Sequence, residues 1–236
     1  MKPKVTFCIP TISEQGSKRD KYLSEVINCI QIQNCQDYEV FIYDNTDKGR
    51  DITVPDDRYK VIHTGGWNIS QCNNNAMYIA NSDVLLLGAD DDLFFPERAD
   101  LTYAIINNGI DLVYYSYILI NADRKFTGIW ISQKFDFEKH YYYGSDISLC
   151  TGAVRISKSP KWREDIRMIS DYSFIIDCYK AGLSFRNITF PMGCYRVHGE
   201  NLSIKRRDWV EEDTLKIREI YKDNKIRSMK ISSLEE

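Results

Sequence analysis

One segment of the sequence, DVLLLGADDDLFFP at residues 83–96, contains the clearest indication of how the chain folds. Its apolar run, Val84–Leu87, predicts a buried strand. Three aspartates, Asp90–Asp92, follow the strand directly, and Pro96 suits the first turn of a helix that we expect to extend to about Asn108. A strand that ends in an acidic turn and leads into a helix is typical of an α/β domain.

Further strands and helices on the N-terminal side of this segment predict a doubly wound, mostly parallel sheet flanked by helices. The predicted elements are strands at Val5–Ile9 (ended by Pro10), Glu39–Tyr43 and Tyr59–His63, with helices from Asp20, as the cap, to Ile30 and from Ser70 to Ala80. Strand and helix thus alternate along the first half of the chain, which is typical of a Rossmann-like sheet. In such a sheet ligands bind at the carboxyl ends of the strands, where the acidic turns 44–47 and 90–92 both lie.

The second half of the chain is less regular. It predicts strands at 112–120, 126–131 and 183–190, a loop around 141–145, and helices at 171–181 and 208–221. No linker or internal repeat divides the chain, which favours a single domain.

The composition limits the classes of function. The 236 residues contain 31 Lys+Arg and 34 Asp+Glu, so no basic surplus is present to bind nucleic acid. The seven cysteines contain no CxxC pair, which argues against a zinc site and favours reduced, mostly buried thiols. The N-terminus has no signal-peptide pattern, and the longest apolar run, 112–120, is too short for a membrane span. We therefore expect a soluble, cytoplasmic protein.

Three adjacent carboxylates after a buried strand have two physical explanations. Such a cluster is unfavourable unless water solvates it or a hard cation with oxygen ligands neutralises it. Mg²⁺ or Mn²⁺ bound to a diphosphate would meet the second condition, and the apolar residues on both sides of Asp90–Asp92 favour it. A haloacid-dehalogenase phosphatase is excluded because the first strand ends in Pro10-Thr11. P-loop and dinucleotide-binding enzymes are excluded because GxxxxGK[ST] and GxGxxG are absent.

Five short motifs, spread over most of the chain, occur in a recognisable order. They are FCIPT at 7–11, EVFIYDNTD at 39–47, NNAMYIANSDVLLLGADDDLFFP at 74–96, SDY at 170–172 before KAG at 180–182, and YRVHGENLS at 195–203. In type and spacing these motifs resemble those of the inverting family-2 glycosyltransferases, which have the GT-A fold. The resemblance implies a GT-A domain over 1–204, with a nucleotide-binding half at 1–110 and an acceptor-binding, catalytic half at 111–204. A helical extension at 205–236 would follow.

The resemblance also implies which residues bind the donor nucleotide. Asp44 would accept a hydrogen bond from the base, usually uracil, and Pro10 and Thr11 would line the base pocket. Asn74 would lie beneath the ribose and the phosphates. Asp90 would help to hold the ribose or the water molecules of a metal ion. The expected donor is therefore a nucleotide-diphosphate sugar, in most cases a UDP-sugar.

A metal site and a catalytic base are implied as well. Asp91 would be a direct ligand of Mn²⁺ or Mg²⁺, His198 would be a second ligand, and Asp92 would be an additional one. Asp171 would be the general base that removes the proton of the acceptor hydroxyl, since inverting transfer is a single displacement. From the residues alone, His198 is equally compatible with an interior histidine and Asp171 with a helix cap.

Several positions depart from the family's pattern or allow two interpretations. Ala89 replaces the first aspartate of the family's D-x-D-D pattern, which implies weaker or altered metal binding. Ser170 replaces the usual glutamate before the base, on the side of the donor sugar and the acceptor. Gly152 is either part of a glycine loop beside the donor sugar or a glycine at the start of a strand. The aromatic residues that either stack on sugar rings or pack against the protein are Trp67, Trp130, Trp162 and Tyr141–Tyr143.

We therefore expect a glycosyltransferase of the hexosyltransferase type that transfers a sugar, with inversion, to a hydroxyl of a glycan or lipid-linked saccharide in polysaccharide biosynthesis. The alternatives are a nucleotidylyltransferase on a related sheet and a non-catalytic sugar- or metal-binding module. The tail at 205–230 has nine basic and six acidic residues, a charge of +3. Its helix would contact the domain, a second copy of the chain or the inner face of a membrane.

Overall fold

A nine-stranded sheet with helices on both faces dominates the computed structural model, which describes residues 2–11, 18–144, 147–199, 201 and 207–222. The strands are β1 (Val5–Thr11), β2 (Tyr38–Asp44), β3 (Tyr59–His63), β4 (Val84–Leu87), β5 (Leu93–Phe94), β6 (Leu112–Asn121), β7 (Phe126–Trp130), β8 (Ala153–Arg155) and β9 (Phe185–Val197). The helices are α1 (Lys18–Gln31), α2 (Ile69–Ile79), α3 (Arg98–Asn107), α4 (Phe137–Tyr143), α5 (Ser170–Lys180) and α6 (Arg207–Tyr221), with short 3-10 helices at Leu149–Thr151 and Ile156–Lys158.

The strand order joins a parallel first half to a mixed second half. Among the described residues the order is β3-β2-β1-β4-β8-β6-β9-β5, and β7 pairs with β6 outside this path. Six strands, β1, β2, β3, β4, β6 and β9, run in one direction, while β5, β7 and β8 run in the other. This arrangement confirms the predicted α/β fold with a mostly parallel sheet flanked by helices.

Strand β1 continues past Pro10, where the sequence predicted its end. In the described strands β1 pairs at this level with β2 alone, because its pairing with β4 ends at Cys8. Proline fits such a position, since its missing N–H removes no bond to a second neighbouring strand. The extension matters for the site because it places Thr11 opposite Asp44 at the carboxyl edge of the sheet.

The first two helices begin slightly before the predicted positions. Helix α1 begins at Lys18, so Asp20 lies in its first turn rather than at its cap. A carboxylate in the first turn still favours the helix through the helix dipole. Helix α2 follows Asn68, which forms a capping box with Gln71. The predicted loop at 12–17 lies outside the described residues.

Tertiary packing alters the predicted elements of the second half. Residues 141–143, predicted as a loop, form the end of α4, whose first turn is capped by the Asp136 side chain. Ser145, in the same predicted loop, lies outside the described residues. Strand β9 extends beyond its predicted end at Phe190 to Val197, because its C-terminal part pairs with β6. The two-residue strand β5 also pairs with β9, and no sequence pattern predicts it.

The sheet separates two buried layers. Alternate residues of β2 enter different clusters, with Val40 and Ile42 on the side of α1 and α3, and Phe41 and Tyr43 on the side of α2 and α5. Because side chains alternate along a strand, these clusters lie on opposite faces of the sheet. The six cysteines with described side chains are free thiols and five of them are buried, as predicted.

Helix α6 packs on the domain. Its residues Val210 and Ile217 are buried in a cluster with Ile169, at the start of α5. The buried Asp213 accepts hydrogen bonds from three backbone N–H groups at residues 167–169. The described part of the tail thus makes the predicted contact with the domain, while 202–206 and 223–236 lie outside the described residues. No described helix is both long enough and apolar enough to cross a membrane.

Candidate active site

A buried hydrogen-bond network joins three predicted nucleotide-binding residues at the carboxyl edge of the sheet. The Thr11 hydroxyl donates to Asp90 Oδ2 at 2.5 Å and accepts from Arg50 Nη2 at 2.8 Å. Arg50 Nε donates to Asp44 Oδ1 at 3.2 Å. All four residues are buried, and they connect the ends of β1, β2 and β4. We call Thr11, Asp44, Arg50 and Asp90 the donor-side network; Pro10, half-buried, precedes it in β1.

Asp44 is heavily hydrogen-bonded within the protein. Its carboxylate accepts bonds from the hydroxyl and backbone N–H of Thr46 and from the backbone N–H of Arg50, and His63 Nδ1 lies 3.0 Å from Oδ2. Burial alone would raise the pKa of Asp44, but these hydrogen bonds hold the pKa below its usual value. A nucleotide base would make the predicted contact with Asp44 only by displacing one of these donors.

The three aspartates of the acidic turn point in different directions. Asp90 belongs to the donor-side network, Asp91 Oδ2 lies 3.0 Å from His198 Nε2, and Asp92 Oδ1 accepts a hydrogen bond from the backbone N–H of Arg196 at 3.0 Å. Their exposed fractions are 1%, 6% and 0%. Because all three carboxylates are buried, a plain water-solvated turn is excluded.

His198 is held beside Asp91 by the turn that follows β9. Asn201 Oδ1 accepts a hydrogen bond from the backbone N–H of His198 at 2.6 Å, and Asn201 Nδ2 donates to the carbonyl of Arg196 at 3.1 Å. The His198 ring also lies 5.2 Å from the ring of Tyr22 in α1. The structure therefore brings together two predicted metal ligands that are 107 positions apart in the sequence.

The Asp91–His198 pair has the spacing and chemistry of two adjacent metal ligands. Two neighbouring ligands of an octahedral ion, each about 2.1 Å from the metal, lie about 3 Å apart. Oxygen and imidazole nitrogen donors suit Mn²⁺. Among the described residues no group of three or more His, Cys, Asp or Glu side chains is arranged to hold a metal, so Asp92 does not join this pair. A cation bound here would take its other ligands from the substrate and from water.

Two buried arginines that the sequence did not assign to the site hold it in place. Arg196 donates through Nε to the carbonyl of Asp91 at 2.7 Å and through Nη2 to Glu25 Oε2 at 2.5 Å. Arg50 donates to Asp20 of α1 as well as to the donor-side network. Arg196 lies within the YRVHGENLS motif, which could have indicated it, whereas Arg50 lies in a loop without a motif.

Asp171, the predicted base, lies in the first turn of α5, after the cap residue Ile169. Its carboxylate accepts hydrogen bonds from its own backbone N–H and from that of Tyr172, so its contacts fit the helix-cap alternative as well as the predicted base. Burial raises the pKa of Asp171 to about 6, although backbone hydrogen bonds, including one from Tyr172 N at 2.9 Å, lower the pKa in part. At neutral pH such a carboxylate is ionised and is a stronger base than an ordinary aspartate.

Contacts through β8 place Asp171 at the same end of the sheet as the acidic turn. Its carboxylate accepts a hydrogen bond from the backbone N–H of Leu149, in the 3-10 helix before β8. Directly after that helix, the carbonyl of Gly152 accepts a hydrogen bond from the backbone N–H of Leu87 at 3.0 Å. Leu87 ends β4, and the chain continues from there into Asp90.

Two residues predicted on the sugar side of the site have packing roles. A Cβ on Gly152 would lie 2.8 Å from Leu149 Cδ2, and the Gly152 carbonyl also accepts from Arg98 Nη2 at 3.1 Å. These contacts support the alternative of a glycine at the start of a strand, here β8. Ser170 is buried at the start of α5, where its carbonyl accepts from Ser173 Oγ at 2.9 Å.

Asn74 lies apart from the donor-side network. Its side chain donates to Trp162 O at 3.0 Å and to Glu164 Oε1 at 2.8 Å, and it accepts from Trp162 N at 2.8 Å. It lines an open groove of about 540 Å³ between α2 and residues 156–164, and none of the described residues that line this groove belongs to the network. These contacts hold the 162–164 segment against α2, and the contact of Asn74 with ribose and phosphates stays a prediction.

The aromatic candidates divide into buried and partly exposed rings. Trp162 is 3% exposed and stacks on Phe174 with 3.9 Å between ring centroids, and Tyr141 is also buried. These two residues pack within the protein. Trp130 keeps part of its ring exposed and stacks on Tyr117.

Comparison with solved structures shows a mixed α/β fold of the same kind in crystal structures of another protein. The chain is similar to TarS of S. aureus, a glycosyltransferase. With TarS 1-349 in complex with UDP-GlcNAc the TM-score is 0.63 at 13% identity, and with its UDP complex 0.62 at 14%. With a further crystal structure of S. aureus TarS the TM-score is 0.60 at 14% identity.

These similarities extend over most of this chain but only part of TarS. Each covers 91% of the present chain, against 66%, 65% and 39% of the three TarS chains in the order given. At such low identity the likeness shows the fold alone. No family model matches the chain. No curated protein matches it either.

Proposed function

We propose that the chain is an inverting glycosyltransferase that moves a sugar from a UDP-sugar to a hydroxyl group of a glycan or a lipid-linked saccharide. The observation that carries the proposal is the contact between Asp91 and His198 beside the donor-side network. That the TarS structures of the same fold include complexes with UDP and UDP-GlcNAc supports a UDP-sugar as the donor. A cytoplasmic location, at the inner face of a membrane where the acceptor is lipid-linked, belongs to the same proposal.

In this proposal the donor-side network forms the base of the nucleotide site. Thr11 and Asp90 lie at the ends of adjacent strands, β1 and β4, where ligands bind in open α/β sheets. Arg50 orients both the Thr11 hydroxyl and the Asp44 carboxylate. These groups are held by hydrogen bonds before the donor arrives, so little ordering is needed on binding.

Asp91 and His198 would hold Mn²⁺ or Mg²⁺ against the donor diphosphate. Such an ion stabilises the negative charge of the departing nucleoside diphosphate. The protein contributes the orientation of both ligands, since Arg196 binds the carbonyl of Asp91 and Asn201 binds the backbone N–H of His198. With Ala89 in place of an aspartate, we expect metal affinity to depend strongly on the bound diphosphate.

Asp171 would accept the proton of the acceptor hydroxyl as that oxygen attacks the anomeric carbon. Its pKa of about 6 leaves it ionised at neutral pH and basic enough for this transfer. A sugar- or metal-binding module gives no reason to keep a carboxylate in this unfavourable state, so the raised pKa favours an enzyme over that alternative. The nucleotidylyltransferase alternative would require a basic turn at 11–20, where the sequence has only Lys18 and Arg19.

The donor class can be tested by thermal unfolding with UDP, GDP, CDP and dTDP, each with and without Mn²⁺. A ligand at about 100 times its Kd adds about 2.7 kcal/mol to the free energy of unfolding. For a domain of this size the melting temperature should rise by roughly 5–10 °C. We expect UDP to produce the shift and Mn²⁺ to increase it.

Variants separate a metal-assisted site from general anion binding. Asp91→Asn and His198→Ala should remove the increase caused by Mn²⁺, whereas Asp57→Asn, at an exposed acidic residue, should leave it unchanged. If no nucleotide shifts the melting temperature at millimolar concentration, the proposed donor site is wrong.

A further inference from the structure

Three aromatic side chains form a row across β7, β6 and β9. Trp130 stacks on Tyr117, with ring centroids 5.0 Å apart and planes 12° from parallel, and Tyr195 lies 5.6 Å from the same Tyr117 ring. Each of the three rings keeps part of its surface exposed. We call Tyr117, Trp130 and Tyr195 the aromatic ladder. The function proposed above assigns it no role.

The aromatic ladder lies on the face of the sheet that α5 covers. Along β9, side chains alternate between the two faces. Arg196 points to the α1 face, where it binds Glu25, so its neighbour Tyr195 points to the opposite face. That face packs against α5, whose first turn carries Asp171. The ladder and the proposed base are therefore on the same side of the sheet.

The aromatic ladder also lies toward the carboxyl edge of the sheet. Strands β6 and β9 run in the same direction as β4, so the residues near their ends approach the edge that holds the acidic turn. Tyr195 and His198 belong to one short segment, in which the backbone N–H of Arg196 binds Asp92 Oδ1. Tyr195 therefore lies three positions before His198, on a segment that contacts the acidic turn.

The position of the ladder excludes the donor base as its occupant. The base is expected at the ends of β1 and β2, next to Thr11 and Asp44. In the strand order, β4 and β8 separate β1 from β6. Three strand spacings correspond to about 14 Å, so the ladder does not lie beside the expected position of the base.

We propose that the aromatic ladder is a subsite for a pyranose ring of the acceptor, an inference that rests on the proposed glycosyltransferase function. A pyranose presents a face of C–H groups, which carry partial positive charge and pack on the negative face of an aromatic ring. Flat, partly exposed aromatic residues toward the same edge of the sheet as the proposed base and metal pair provide such a surface. The acceptor hydroxyl would then reach Asp171 from a ring held by Trp130.

The test measures binding of simple pyranosides by saturation-transfer NMR. The probes are the methyl β-glycosides of glucose, galactose, mannose and N-acetylglucosamine, with UDP and Mn²⁺ present. We expect at least one probe to receive saturation on its axial C–H face. Trp130→Leu and Tyr195→Leu keep apolar volume but remove the aromatic ring. Each should weaken the binding of that probe about fivefold. Trp130→Phe should retain most of the binding.

Ile129→Ala is the matched control. Ile129 precedes Trp130 in β7, is 49% exposed and points to the opposite face of the strand. It should bind the probe like the unmodified chain. No signal from any of the four probes, or an equal signal in Trp130→Leu, would overturn the subsite. A variant that changes the oligomeric state without changing probe binding would identify the ladder as a protein interface and would also overturn it.

The melting shift with UDP, measured on the same samples, separates this inference from the proposed function. If UDP still shifts the melting temperature of Trp130→Leu while the pyranoside signal is lost, the subsite is supported within an intact donor site. If the pyranoside binds but no nucleotide does, the glycosyltransferase proposal fails and the ladder remains as a sugar-binding surface without its acceptor role.

Discussion

Asp44 and Asp171 lie at the same end of the sheet, yet their surroundings affect ionisation in opposite directions. Burial raises the pKa of both carboxyl groups. Around Asp44, hydrogen bonds from Thr46, Arg50 and His63 outweigh burial and lower the pKa. Among the described residues, only backbone N–H groups oppose burial around Asp171, and the pKa remains at about 6. Hydroxyl and charged donors surround Asp44, and none of this kind opposes burial at Asp171 among the described residues.

The consequences for stability have opposite signs. Asp44 has a lowered pKa in the folded state, so its ionised form stabilises the fold above the unfolded pKa near 4, and this contribution disappears in acid. Asp171 has a raised pKa, so the folded state binds its proton more tightly between about pH 4 and 6. Stability is lost as the pH rises through that window. One carboxylate stabilises the fold at neutral pH, whereas the other destabilises it and is available for chemistry.

Replacing Asp171 should have the largest effect on activity. We expect Asp171→Asn to reduce UDP release from the UDP-sugar that the unmodified chain uses by a factor of about 10²–10⁴, because general-base catalysis is lost. The same change removes the cost of a buried charge, so the free energy of unfolding at pH 7.5 should rise, on the order of 1–3 kcal/mol. Steady-state kinetics and chemical denaturation would measure the two effects on one preparation.

The control is Asp177→Asn in the same helix. Asp177 pairs with Arg163 and does not belong to the proposed machinery, so UDP release should change little. If Asp171→Asn lost both activity and stability, Asp171 would be a structural residue like Asp44, and the contrast between them would not hold.

Removing the buried cation beside Asp44 should have the largest effect on stability. Arg50→Met leaves Asp44 buried without its charged partner, which we expect to cost about 3–5 kcal/mol. Urea denaturation at pH 7.5 would measure the loss. Because Arg50 also holds Thr11, the UDP-dependent melting shift should decrease in the same variant.

Arg58→Met provides a matched comparison in the same connection between β2 and β3. Arg58 pairs with Asp56, but the two side chains are 30% and 34% exposed. An exposed ion pair of this kind should contribute at most about 1 kcal/mol. Equal losses of unfolding free energy in Arg50→Met and Arg58→Met would show that burial does not determine how much Arg50 stabilises the fold.

Elements that a local sequence pattern defines could be predicted, whereas those that depend on contacts across the fold could not. The strands β1, β2, β3 and β4 are short apolar runs, and the local pattern was sufficient to place them. The acidic turn was also evident, and a resemblance over most of the chain indicated His198. By comparison, β5 has two residues and exists only because it pairs with β9.

The residues that the sequence did not indicate act through contacts across the fold. Arg50 lies in a loop without a motif, and its role depends on Thr11 and Asp44, which come from two different strands. Asn74 fits the motif by spacing, and no sequence signal indicates its contacts with the 162–164 segment. Spacing along the chain locates a residue on an element, whereas its partners depend on how the elements pack.

The pH dependence of activity should report the raised pKa directly. Asp171 must be ionised to accept a proton, so activity should increase with pH through about 6. From pH 5 to pH 7 the ionised fraction, and with it kcat/KM for the donor, should rise about tenfold. Circular dichroism over the same range would verify that the fold persists. A midpoint near pH 4 would mean that Asp171 is an ordinary, solvated carboxylate.

His63 should have the smallest effect, although it also contacts Asp44. His63 Nδ1 lies 3.0 Å from Asp44 Oδ2, but the His63 side chain is 55% exposed, whereas that of Arg50 is 3% exposed. Water can replace the imidazole in His63→Ala, so we expect a loss of at most about 1 kcal/mol, or about 2–4 °C in melting temperature. A loss as large as that of Arg50→Met would contradict this. It would mean that the number of donors around Asp44, rather than the buried charge of Arg50, keeps the carboxylate ionised.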